Sequence, residues 1–315
     1  MTSPHSPRDT RRHLHLHSAD GTRIHARVHG PEQGPTVVLV HGWTCSVDFW
    51  DPVVALLPDT VRVVCYDQRG HGHSALPHTT GYSTTALADD LCAVLTATLA
   101  PGSRAVVAGH SMGAMTLMAA ARRPELRERA AALLLASTGA ARLVEATQVL
   151  PISPRWPRLR AAGHRALLST PLPLGPVTPL SRAALRYAIM GPYTPRATVD
   201  RCARIVHACP PAARVGWGRV LASLDLEDML ADVVAPSVVM AGTADRLTPP
   251  TLARRIAEHL PACEQLIEPA GIGHMTPLEA PTTVSQTITD LVDRHLRPPR
   301  QEPTESVEST HREQR

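Results

Sequence analysis

Short, unbroken apolar runs recur along this chain with helix-length stretches between them, and that alternation restricts the fold more than any other feature. The runs at 36–40, 61–66, 104–108 and 132–136 are apolar at almost every position, as parallel strands covered on both faces must be. Runs at 237–241 and 264–268 continue the series, and 14–17 with 23–28 read as an opening hairpin turning at Asp20-Gly21. Helical stretches at 47–57, 82–99, 112–122, 251–260 and 284–295 lie between them. Pro58, Pro101, Pro124 and Pro261 fall where those helices need to stop. The pattern predicts an α/β fold: a mostly parallel, doubly wound central sheet with helices on both faces.

The rhythm breaks between 139 and 232. This segment holds 11 of the 30 prolines and 12 arginines against 6 acids, an excess of +6 that leaves the remaining chain at 4 − 6 = −2. It reads as short helices without a clear strand, with amphipathic runs at 182–190 and 199–208. The expected organisation is a core in two parts, 13–138 and 233–296, with 139–232 as a helical cap over the sheet's carboxyl edge, where ligands bind in open α/β folds. The polar ends, 1–12 and 297–315, carry no apolar periodicity and are expected to be disordered.

Composition removes several function classes. A length of 315 residues suits one large domain or one domain with an insertion. All 32 basic residues are arginine, so Schiff-base and P-loop lysine chemistry are excluded. A net charge of +4 and only 4 Trp, 4 Tyr and 1 Phe give no case for nucleic acid. The longest aliphatic stretches, such as 130–136, fall far short of the roughly 20 residues a membrane span needs. The six cysteines lack Cys-x-x-Cys spacing, and Cys202 and Cys209 on one helix would stand about 10.5 Å apart, too far to bridge; reduced thiols are expected. No export segment follows Arg11-Arg12, and a cytoplasmic location is the expectation.

Gly109-His110-Ser111-Met112-Gly113 follows the run 104–108 and opens the stretch 112–122. This is G-x-S-x-G in the strand–turn–helix context that gives it chemical meaning. The flanking glycines relieve clashes on a strained turn, and the serine hydroxyl is presented beside a helix N-terminus.

With this motif the sequence resembles the α/β-hydrolase family over nearly all of 13–296. His41-Gly42-Trp43 after 36–40 is similar to the family's oxyanion loop. Asp67-Gln68-Arg69-Gly70-His71-Gly72-His73-Ser74 after 61–66 is similar to its Asp-x-Arg-Gly-x-Gly-x-Ser turn. Gly242-Thr243-Ala244-Asp245 and Gly271-Ile272-Gly273-His274-Met275 complete the order Ser111, Asp245, His274.

The resemblance implies a serine hydrolase that cleaves a carboxylic ester or related acyl bond of a small molecule through an acyl-serine intermediate, with no cofactor and no metal. A serine hydroxyl is a weak nucleophile until a base takes its proton. His274 is the expected base and Asp245 the group that orients it and stabilises the imidazolium. The backbone N–H groups of Trp43 and Met112 are the expected oxyanion donors. Ser137-Thr138 occupies the alternative acid position after 132–136, and a serine at 111 disfavours the branches with a carboxylate nucleophile. Thioesterases, carbon–carbon-bond hydrolases, perhydrolases and acyltransferases share the triad, and a non-catalytic receptor on the same fold is the alternative from another class.

Asp67, Arg69 and His71 read as a structural brace, His41 and His110 as loop-shaping, and Cys45 as a small buried thiol. His13, His15 and His17 share one face of a solvated edge strand. Trp43, Trp156, Tyr187, Met190, Tyr193 and Trp217 are the candidate substrate-pocket residues, with Met229 as a further one. The pattern leaves oligomeric state open.

Overall fold

The computed structural model describes residues 12–78, 81–153, 155–170 and 174–297. Eight strands are found among them: β1 (Arg12–His17), β2 (Arg23–His29), β3 (Thr36–Val40), β4 (Arg62–Tyr66), β5 (Ala105–His110), β6 (Ala130–Ala136), β7 (Ser237–Met240) and β8 (Cys263–Ile267). They form one sheet in the order β1-β2-β4-β3-β5-β6-β7-β8. The β1–β2 and β2–β4 pairs are antiparallel and all the others parallel.

The helices are α1 (Asp51–Val54), α2 (Thr84–Thr98), α3 (Met112–Ala119), α4 (Pro124–Arg129), α5 (Leu143–Ala146), α6 (Pro157–Ser169), α7 (Pro179–Ile189), α8 (Arg196–Ala208), α9 (Pro211–Ala222), α10 (Pro250–His259), α11 (Thr276–Glu279) and α12 (Pro281–His295). Strands β3 to β7 are buried throughout because they carry apolar side chains on both faces. One core joins the sheet to α2, α3 and α10, and a second joins it to α1 and α12 on the other face. The expected α/β-hydrolase fold, with a mostly parallel sheet between helical layers, is what the chain adopts.

Two local differences have plain causes. The stretch 47–57 is not one helix but a 3-10 turn over Val47–Trp50 followed by the four-residue α1, because Pro52 has no N–H with which to continue the α-helical hydrogen bonding from the preceding turn. Arg12 and Arg297, expected to lie in disordered ends, are placed: Arg12 pairs with Val28 in the sheet, and Arg297 meets Asp293 at 2.7 Å. The remaining terminal residues, 1–11 and 298–315, lie outside the described residues. In β1 the leucines turn toward the core while His13, His15 and His17 stay exposed. Among the described residues no helix is long and apolar enough to cross a membrane.

Helices α5 to α9 are inserted between β6 and β7. Leu167, Leu185, Ile189 and Val206 from this insertion line one cavity together with Trp43, Ser111 and His274 from the loops after β3, β5 and β8. The inserted helices therefore cover the carboxyl ends of the central strands.

Candidate active site

Ser111 sits between β5 and α3 with φ +52° and ψ −117°, a conformation that costs energy for any residue with a Cβ. The neighbouring glycines are required by space. A Cβ on Gly109 would lie 2.5 Å from the Ala114 nitrogen, and one on Gly113 would lie 2.1 Å from the Val40 carbonyl oxygen. The strained turn is held on both sides: Ser111 N–H donates to Ala136 at 2.8 Å, and the Thr138 hydroxyl donates to the Ser111 carbonyl at 3.0 Å.

His274 follows β8 and Asp245 follows β7, and both are buried. His274 Nδ1 lies 2.9 Å from Asp245 Oδ2. A carboxylate only accepts, so Nδ1 carries a proton and the ring is oriented by this bond. Asp245 is itself fixed: Oδ1 accepts from Leu247 N–H at 2.8 Å and Thr248 N–H at 2.9 Å, and Oδ2 accepts from the Thr248 hydroxyl at 2.8 Å. Thr248 Oγ1 also stands 3.1 Å from His274 Nδ1, so it touches both partners. The sequence reading did not single out Thr248. Its place three residues after Asp245, in reach of that carboxylate through a tight turn, was the available signal.

His110 lies against this pair, its ring centroid 5.0 Å from that of His274. Its Nε2–H donates to the His274 carbonyl at 2.9 Å. Burial, then the neighbouring His274, push the His110 pKa well below the ordinary imidazole value. A neutral His110 holds the His274 backbone without opposing positive charge on that ring.

The loop after β3 closes the other side of Ser111. A Cβ on Gly42 would lie 3.0 Å from Ser111 Cβ and 2.7 Å from His110 Nδ1, so only glycine lets the loop approach. Trp43 lines the cavity at Ser111, and its indole N–H donates to the Arg214 carbonyl of α9 at 3.0 Å. Met112 N–H belongs to the first turn of α3, where no intrahelical acceptor exists.

The turn 67–74 is the brace that the sequence suggests. His41 Nε2 accepts from Gln68 N–H at 3.0 Å, His71 Nε2 accepts from Thr44 N–H at 3.2 Å, and Asp67 Oδ1 accepts from Val47 N–H at 2.8 Å. Arg69 is fully buried and holds Asp90 through Nε at 2.8 Å and Nη2 at 2.6 Å. Burial pushes the His71 pKa down to about 3 and lowers that of His41, so both imidazoles are neutral spacers. Burial also raises the Cys45 thiol well above its ordinary pKa, which removes its nucleophilic character.

Two chambers meet at Ser111, one of about 50 Å³ and one of about 520 Å³. Of the residues expected to line a pocket, Trp43 and Tyr187 do so. The other five are placed elsewhere. Trp217 is fully buried, edge-on to Tyr82 at 5.2 Å, with its indole N–H donated to the Arg69 carbonyl at 3.0 Å, so it anchors α9 to the turn 67–74. Trp156 is 64% exposed and Tyr193 86% exposed, both outside the chambers. Met190 is buried at the end of α7, where its backbone packs on Gly273 and lines a separate cleft beside Asp245. Met229 packs against the core. The chamber walls are mostly aliphatic, including Leu143, Val149, Leu167 and Leu247, which no motif marks.

Residues 37–287 match the family model described as "Alpha/beta hydrolase family". The chain belongs to the alpha/beta hydrolase family. A protein of Variovorax paradoxus (strain S110) named "Putative carbamate hydrolase RutD" is 30% identical over 274 residues, which cover 86% of this chain and 96% of that protein. The 3-oxoadipate enol-lactonase 1 of Acinetobacter baylyi is 25% identical over 86% of this chain and 94% of its own. A thermophilic esterase from Thermogutta terrifontis shares the fold with a TM-score of 0.71 at 23% identity, over 90% of this chain and 99% of that one. This alpha/beta hydrolase is thus a hydrolytic enzyme, with the strand-end loops and inserted helices of the fold enclosing Ser111.

Proposed function

We propose that this alpha/beta hydrolase cleaves a carboxylic ester or a related acyl bond through an acyl-serine intermediate, with Ser111 as nucleophile, His274 as general base and then acid, and Asp245 as the group that orients His274. One observation carries the reading: Ser111, on a strained turn, lines the same cavity as an imidazole whose Nδ1–H is held by a buried carboxylate at 2.9 Å. His274 takes the hydroxyl proton as Ser111 Oγ attacks the acyl carbon, and Asp245 stabilises the imidazolium. The N–H groups of Trp43 and Met112 receive the developing oxyanion. A donor in that role contributes about 2.7–4 kcal/mol by mutational precedent.

Residues 139–232 act as the cap that selects substrate, between core parts 13–138 and 233–296. The names of the full-length relatives, a carbamate hydrolase and an enol-lactonase, support acyl transfer to water as the reaction class. The test is turnover of a p-nitrophenyl ester series by wild type and Ser111→Ala in parallel. Hydrolysis lost in a folded Ser111→Ala protein is the expected result. A variant that retains most of the wild-type rate overturns the assignment.

A further inference from the structure

Ser111 stands where two chambers of very unequal size meet, and the position of His274 decides which part of the substrate each must hold. The smaller chamber, about 50 Å³, is walled by Met115, Leu143, Leu168 and Leu221. The larger, about 520 Å³, runs out beneath α7 past Leu174, Leu185 and Ile189. His274 lines the larger chamber and not the smaller, and the two run into each other along Trp43, Ser111, Val149, Leu167 and Leu247.

In acyl transfer the leaving oxygen must receive its proton from the imidazole. Ser111 Oγ bonds to the acyl carbon, the bond from that carbon to the alcohol oxygen breaks, and the serine proton passes through His274 to the departing alkoxide. Water then attacks the acyl-enzyme by the same route in reverse and releases the acid. The alcohol therefore lies on the side that His274 lines, in the larger chamber. The acyl chain, still bonded to Ser111, is left to the smaller one.

The polar groups of the small chamber are already engaged. His164 Nε2 accepts from Leu150 N–H at 3.1 Å, and its Nδ1–H donates to the Val144 carbonyl at 3.1 Å. The Thr147 hydroxyl donates to the Arg246 carbonyl at 3.1 Å, and that of Thr248 to Asp245 at 2.8 Å. A charged or hydroxylated acyl chain would lose its hydration there and find only the spare acceptor lone pairs of the Thr147 and Thr248 hydroxyls. By volume, one water needs roughly 10–15 Å³ in this measure, so a chamber of about 50 Å³ takes a chain of roughly two to four carbons.

We infer that the preferred substrates are esters of short, unsubstituted acyl groups with bulky apolar alcohols. This rests on the serine-hydrolase reading, and the experiment separates the two. Phenethyl acetate and methyl 3-phenylpropanoate are isomers that exchange the bulky group between the alcohol and acyl sides. The full-length protein should hydrolyse phenethyl acetate with a kcat/KM at least about tenfold higher. Leu168→Ala, a half-buried wall position on α6, should narrow that ratio and move the optimum of a p-nitrophenyl series from two to four acyl carbons toward longer chains.

Equal rates for the isomers, or a preference for methyl 3-phenylpropanoate, overturn the chamber assignment while the hydrolase reading stands. So does a protein that is labelled at Ser111 by a fluorophosphonate yet cleaves neither isomer. Neither labelling nor turnover by folded protein overturns the hydrolase reading itself.

Discussion

Gly113 packs so tightly on Val40 that a Cβ added to it would lie 2.1 Å from the Val40 carbonyl oxygen. The N-terminal turn of α3 is thereby pressed against the end of β3. The loop that follows Val40 returns to Ser111 through Gly42, whose added Cβ would lie 3.0 Å from Ser111 Cβ. Two close approaches thus register the Ser111 loop against the loop that carries Trp43.

Gly113→Ala should break that register. Overpacking a tight core site costs about 1–3 kcal/mol, and the displacement of α3 carries Met112 N–H with it. Urea unfolding should show the stability loss, and ester turnover by the folded variant should fall more than about tenfold. Unchanged kinetics would mean that the contact positions nothing in the reaction.

Thr248 touches both Asp245 and His274. Thr248→Val keeps the shape and removes the hydroxyl, a loss of about 1 kcal/mol or a roughly fivefold fall in kcat. Thr248→Ser should restore most of it. A Thr248→Ser variant no better than Thr248→Val would show that the methyl group, and not the hydrogen bond, matters.

Most of the sheet was legible because each central strand is apolar on both faces, and the turn at Ser111 because only glycine fits at 109 and 113. The placing of Asp245 after β7 and of His274 after β8 was legible from strand order. The chamber walls were not. Leu143, Leu168 and Leu221 come from three helices, α5, α6 and α9, and no spacing rule brings such residues together. Aromatic type was a poor guide as well: Trp217 anchors α9 to the turn 67–74 while Trp43 lines the cavity, a distinction made by tertiary packing alone.

Acid should weaken the fold through its neutral histidines. Burial, reinforced by His41, holds the His71 pKa at about 3, and burial also keeps His41 and His110 below the ordinary value of 6.5. The unfolded chain binds protons on all three as pH falls through its own, ordinary pKa, whereas the native state does not. Stability is therefore fully present above about pH 6.5 and declines from there toward pH 3. The urea midpoint should drop between about pH 7.5 and about pH 5. A midpoint that does not move would contradict the neutral assignment.

Arg69 and Asp90 form a buried, two-bonded ion pair, each about 1% exposed. Asp90→Ala leaves the guanidinium short of its buried partner and should cost about 3–5 kcal/mol. Differential scanning calorimetry would read this as a large fall in Tm. A loss of less than about 1 kcal/mol would place the stabilisation of the turn 67–74 elsewhere.

The most direct measurement is peptide mapping of the intact protein after treatment with a fluorophosphonate, alongside Ser111→Ala and His274→Ala. The account predicts one adduct, on Ser111, formed quickly by wild type, at least about a hundredfold more slowly by His274→Ala, and absent at that site in Ser111→Ala. An unlabelled Ser111 in folded wild-type protein, or labelling that proceeds as fast without His274, would contradict it.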